Sequence, residues 1–226
     1  MGRVTGVIRR PKTTFEAVAS SPRWAAVLAA LFMVNTGVNI ALVTTDVGRQ
    51  ALVDQWERTA VAFGHEVDAA RYAEFRDFSR HGPAYVLATQ LVRGPMAVLF
   101  LAALLHRAFR RWDRRTSYRQ VLAVVVYSTV ILTIRELVAA PVNYLRESIS
   151  SPTTLAQMFP FANSSSPAAR FFGVVDLFVV WWIGVLAIGL GVLYSRRAWP
   201  IGVALYGVYA GVALVLAATI VWLGTT

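Results

Sequence analysis

Apolar residues are gathered into long blocks at 24–43, 83–105, 118–140, 170–194 and 200–224, and polar segments separate them. A helix rises 1.5 Å per residue, so about 20 apolar residues cross a hydrocarbon layer roughly 30 Å thick. Each block therefore predicts a membrane-spanning helix. The fourth is singled out because between Arg170 and Ser195 its only ionisable side chains are Asp176 and Tyr194. A carboxylate a third of the way along a span costs roughly 2.5–3.5 kcal/mol on insertion scales, so a cation on a neighbouring helix should answer it.

The polar segments carry helical patterns of their own. In 1–22, Val4, Val7 and Ile8 share one face beside Arg3, Arg9 and Arg10. That pattern suits an amphipathic segment lying in the headgroup region, with a disordered basic tail as the alternative. Pro11 ends it; Thr13 and Glu16 have capping-box spacing before Phe15 and Val18, and Ser21-Pro22 reads as the start of the next helix. Arg9 and Arg10 lack the apolar continuation of a twin-arginine signal, so the first span reads as uncleaved. In 46–82, Leu52, Trp56, Ala60 and Phe63 recur at helical spacing, Gly64 supplies a break, and Tyr72, Phe75 and Phe78 follow. This predicts an extracytoplasmic helical hairpin at the membrane surface. His65 and His81 lack metal-site spacing and read as surface histidines.

Inside the spans, Asn35 and Asn39 lie four apart on the first, suited to interhelical hydrogen bonds, and the second carries Gln90 and Arg93-Gly94-Pro95, where a kink is expected. The fifth contains Gly207-x-x-x-Gly211, a spacing that lets another helix approach closely.

Composition agrees with the pattern: 57% of the 226 residues are hydrophobic and 15% charged. The formal net charge of +10 could suggest nucleic acid, but the basic residues cluster between apolar blocks, as membrane topology requires. Absence of cysteine excludes disulfides and thiolate metal sites. Arg107, Arg110, Arg111, Arg114, Arg115 and Arg119 stand against the single acid Asp113 in one short loop. Positive-inside bias places that loop, the N-terminus and the Arg196-Arg197 turn in the cytoplasm, with the C-terminus and the Ser164–Ser166 stretch outside. In that topology Arg93, Arg135, Glu136 and Asp176 fall at the midplane or in the outer half, where they can neutralise one another. Such a cluster serves as an ion-paired clamp or, alternatively, as a polar path; snorkelling of Arg135 and Glu136 to the interface is a third option. No catalytic motif occurs and the spans hold no histidine, so no enzyme, metal or cofactor is expected.

The fold class implied is all-α: a polytopic membrane protein of five transmembrane helices, a short amphipathic N-terminal segment and an outer hairpin. Its expected partners are the bilayer, particularly anionic headgroups, and a membrane protein or a second copy, with no nucleic acid. Pro11 with Phe15, the arginine loop leading into Tyr118-Arg119-Gln120, Asp176-Leu177-Phe178 with Trp181, Gly189, Gly191 and the 195–199 turn resemble the bacterial branch of the Yip1 domain family. That resemblance implies five spans, a cytoplasmic N-terminus and a role in membrane organisation or transport. Eukaryotic members are associated with prenylated Rab GTPases and vesicle trafficking.

Overall fold

The computed structural model describes residues 2–62, 64–113, 115–148, 151–158, 172–173 and 175–223. Phe63, Arg114, Ser164 to Ser166 and Arg170 lie outside them. The described chain is helical: α1 Gly2–Arg9, α2 Pro11–Ser20, α3 Ala25–Val43, α4 Asp46–Ala62, α5 Ala69–Phe78, α6 Gly82–Phe109, α7 Tyr118–Ser128, α8 Val130–Leu145, α9 Leu155–Met158, α10 Leu177–Leu193 and α11 Ala198–Leu223, with a 3-10 turn at Ser79–His81. Among the described residues, four stretches are long and apolar enough to cross a membrane: Ala25–Val43, the part of Ala69–Phe109 that is α6, Tyr118–Leu145 and Ala198–Val215. Helix α10 is apolar but has 17 residues.

The chain forms two compact units. One comprises Met1–Val34, Gln90–Ile134 and Phe178–Ala210, the other Asn35–Thr89, Arg135–Leu177 and Gly211–Thr226.

In the first unit α7 is central. Every residue from Val121 to Ser128 is buried, and a helix apolar all round is the one its neighbours enclose. Ser117 starts α7 with a capping box: its hydroxyl accepts from the Gln120 N–H, and the Gln120 side chain accepts from the Ser117 N–H. The Gln120 amide also donates to Ala19 O at 3.0 Å, tying α2 to α7. Trp182 on α10 donates its indole N–H to Ser128 Oγ at 3.1 Å. At Thr129 the helix pauses, where Ser128 and Thr129 hydroxyls donate back to the carbonyls of Val125 and Val126 at 2.7 Å; such back-bonding bends helices.

Segment α1–α2 packs onto this core and is no loose tail, with Val7, Phe15 and Val18 at 0% exposure. Arg3 donates to Ser21 O at 3.1 Å, closing the pair. The Thr13–Glu16 box does not form. Pro11 already holds the first helical position, the N-cap residue is Arg10 with no side-chain cap, and Thr13 Oγ1 donates back to Arg10 O. Nor does Ser21-Pro22 open α3, which begins at Ala25.

In the second unit Val43, Leu52 and Val86 form a small core with Ile40 and Trp56. Trp56 on α4 meets Phe75 and Phe78, their ring centroids 6.2 and 5.5 Å away, and Gln50 donates to Tyr72 Oη at 2.7 Å. Gly64 ends α4 with φ +76, a left-handed conformation in which glycine carries no Cβ penalty. His65 and His81 are exposed. Helix α8 runs through Pro141 to Leu145, beyond the end of the apolar block at 140.

Candidate functional site

Arg135, Glu136 and Asp176 come together in the second unit. Arg135 and Glu136 are neighbours on α8, and their side chains meet at 3.0 Å. Asp176 is not a third of the way along a helix, as the fourth block suggested: α10 begins at Leu177. Aspartate competes with the backbone for hydrogen bonds and favours the position just before a helix, where the dipole also stabilises negative charge. Here it lies in an isolated antiparallel bridge with Thr154. The Leu155 N–H donates to Val175 O at 2.8 Å and the Leu177 N–H to Thr153 O at 3.1 Å.

That bridge brings two hydroxyls onto the buried carboxylate. Asp176 Oδ2 accepts from Ser151 Oγ at 2.8 Å and from Thr153 Oγ1 at 2.7 Å, while Arg135 Nη1 stands 3.8 Å away. The hydroxyls therefore hold the acid more closely than the guanidinium does. Hydrogen bonds to a charged group contribute roughly 1.5–3 kcal/mol each, and this network ties 151–154, α8 and the start of α10. Among the described residues, no hydrogen-bond partner reaches the buried Arg135 Nε. Sequence patterning did not single out Ser151 and Thr153, because hydroxyls in a polar connection carry no periodic signal.

Other expected polar residues go elsewhere. Arg93 is exposed on α6 and makes no ion pair among the described residues; the helix stays unbroken through Pro95. Asn39 donates to Asn35 O at 2.9 Å within α3, not to another helix, and Asn35 Oδ1 is buried without a partner among the described residues. Gln90 is half-buried. No described atom lies within 4 Å of a Cβ placed on Gly207 or Gly211, so among the described residues nothing packs closely against these glycines.

At the other candidate site, in the first unit, basic residues gather around the ends of α2, α6 and α10. Arg107, Arg110, Arg111, Arg115 and Arg119 are exposed. The single acid among them serves the turn. Asp113 Oδ1 accepts from the Arg115 N–H at 2.8 Å and Oδ2 from Thr116 Oγ1 at 2.9 Å. Those two bonds, the backbone one foremost, hold its carboxyl below the usual aspartate range. Phe109 lies 5.7 Å from the Tyr194 ring, fastening this turn to the end of α10.

Helix α10 closes with a Schellman motif: the Arg196 N–H donates to Gly191 O at 2.8 Å and the Ser195 N–H to Val192 O at 3.3 Å. Ser195 takes φ 50, the left-handed conformation in which glycine is preferred.

The family model of the Yip1 domain matches residues 5–223. Nothing among the curated proteins and nothing among the solved structures matches the chain.

Proposed function

The chain belongs to the Yip1 domain family, and we propose that it is a multi-pass, non-enzymatic member of the bacterial branch that organises the inner membrane through one basic cytosolic face. What carries this reading is the docking of α1–α2. With Val7, Phe15 and Val18 fully buried, the basic residues of 3–12 are held on the folded first unit. The 107–119 turn and Arg196-Arg197 add to the same unit, and positive-inside bias orients it toward the cytosol, with the C-terminus outside. Anionic headgroups are the natural counterpart of such a surface. A membrane-protein partner, or a second copy seated on Gly207 and Gly211, completes the scaffold.

The competing role, a transporter or channel component built on the intramembrane charges, is disfavoured by the arrangement at Asp176. Its carboxylate is engaged by two hydroxyls and faces Arg135, which suits a fixed tie better than a site that must release and rebind an ion. Proteoliposome flux separates the two roles. The scaffold predicts no proton or ion flux above protein-free vesicles, and a lowered unfolding temperature for Asp176→Asn. Flux that Asp176→Asn abolishes in a protein still folded would transfer the function to transport.

A further inference from the structure

Between the start of α2 and the end of α10 lies an open groove of about 790 Å³. Its rim carries Arg10, Lys12, Arg196 and Arg197 against one carboxylate, Glu16. The four cations are exposed and make no ion pair among the described residues. The floor is apolar: Ile188 and Val192 stand one turn apart on the same face of α10. Gly191 lets the following turn close against α10, where a Cβ would stand 3.0 Å from Arg196 O.

We infer that this groove is a binding site for one anionic glycerophospholipid, its phosphodiester among the four cations and the first methylenes of an acyl chain along Ile188 and Val192. Three features meet here that a soluble anion would not require together. The rim has a net excess of three positive charges. Ser195 places a hydroxyl beside it as a donor to phosphate oxygens, while the Thr13 hydroxyl is committed to Arg10 O. The floor descends about 8 Å below the end of α10, from Leu193 to Ile188 at 1.5 Å per residue, into the depth where acyl chains begin. The Schellman closure directs the chain so that Arg196 and Arg197 follow directly on that floor. Helix α2 adds a first turn with no side-chain cap, which favours negative charge.

This site deepens the membrane-organising role and rests on it for the side of the membrane concerned. The test is native mass spectrometry of the full, delipidated chain in detergent with added phosphatidylglycerol, phosphatidylcholine, glycerol 3-phosphate or inorganic phosphate. One phosphatidylglycerol per chain is expected, retained at least tenfold better than phosphatidylcholine, with glycerol 3-phosphate and inorganic phosphate each at least tenfold weaker. A basic residue at an anionic surface is worth roughly fivefold, so Arg196→Gln with Arg197→Gln should weaken retention about thirtyfold. Arg110→Gln with Arg111→Gln, exposed and outside the groove, should leave it within about twofold. Equal losses in the two double variants would overturn the site while leaving a basic cytosolic face intact. Inorganic phosphate binding as well as the lipid would overturn the lipid assignment. Labelling that placed Arg111 outside the cell would instead overturn the membrane-organising role and leave the binding data standing.

Discussion

The ring of Phe15 rests against the backbone of Gly189: a Cβ on that glycine would stand 3.1 Å from two ring carbons of Phe15 and 2.6 Å from Val124 Cγ1. Three helices, α2, α10 and α7, meet at this point. The contact joins two residues that carry the family resemblance and explains why the N-terminal segment is part of the fold.

Gly189→Ala is therefore expected to destabilise the protein by about 1–3 kcal/mol, the usual cost of forcing a methyl into a packed core. Val124 is β-branched and stiff in a helix, so it yields little. Phe15→Ala should cost about 3–5 kcal/mol by leaving a cavity. Thermal unfolding in detergent checks both, and a wild-type midpoint for Gly189→Ala would contradict the packing.

The sequence made most of the helices legible because length and apolarity report a span directly. Local starts were less legible. Thr13-x-x-Glu16 and Ser117-x-x-Gln120 have the same capping spacing, yet only the second forms, since Pro11 preempts the first by starting the helix three residues earlier. The charged cluster was partly legible: Arg135, Glu136 and Asp176 meet, but the acid sits at a helix start and takes hydroxyls from a connection whose pairing no periodicity announces. Centrality was not legible at all. The fourth block is the more apolar, and α7 is the enclosed helix, because enclosure depends on which neighbours dock.

Thr153→Val should remove one of the two hydroxyls on Asp176 and cost about 1–3 kcal/mol, since a buried carboxylate loses a donor. Asp176→Ala should cost more, because it removes the acceptor of both hydroxyls and leaves Arg135 with Glu136 alone. Unfolding midpoints rank the two; a wild-type midpoint for Thr153→Val would show that the hydroxyl contact contributes nothing.

Ser195 pays for its left-handed backbone, so Ser195→Gly should stabilise by up to about 1 kcal/mol and Ser195→Val should destabilise by more than that. A melting series of the three proteins gives the order directly, and a Val variant as stable as wild type would contradict the backbone assignment.

The Asp113 carboxyl has a lowered pKa in the folded turn. Its contribution is present above the unfolded value, about 3.9, and is lost as pH falls through the lower folded value. The Arg115 amide resonance, which reports the hydrogen bond, should titrate with a midpoint below about 3.9. A midpoint at or above that value would refute the turn's hydrogen bonding.

The central claim is that the basic end of the first unit faces the cytosol, and the chain's lack of native cysteine makes it directly measurable. Single Arg111→Cys and Glu74→Cys variants in intact cells, treated with a membrane-impermeant maleimide, should label at Glu74→Cys from outside and at Arg111→Cys only after permeabilisation. Labelling of Arg111→Cys in intact cells, with Glu74→Cys protected until the membrane is opened, would contradict it.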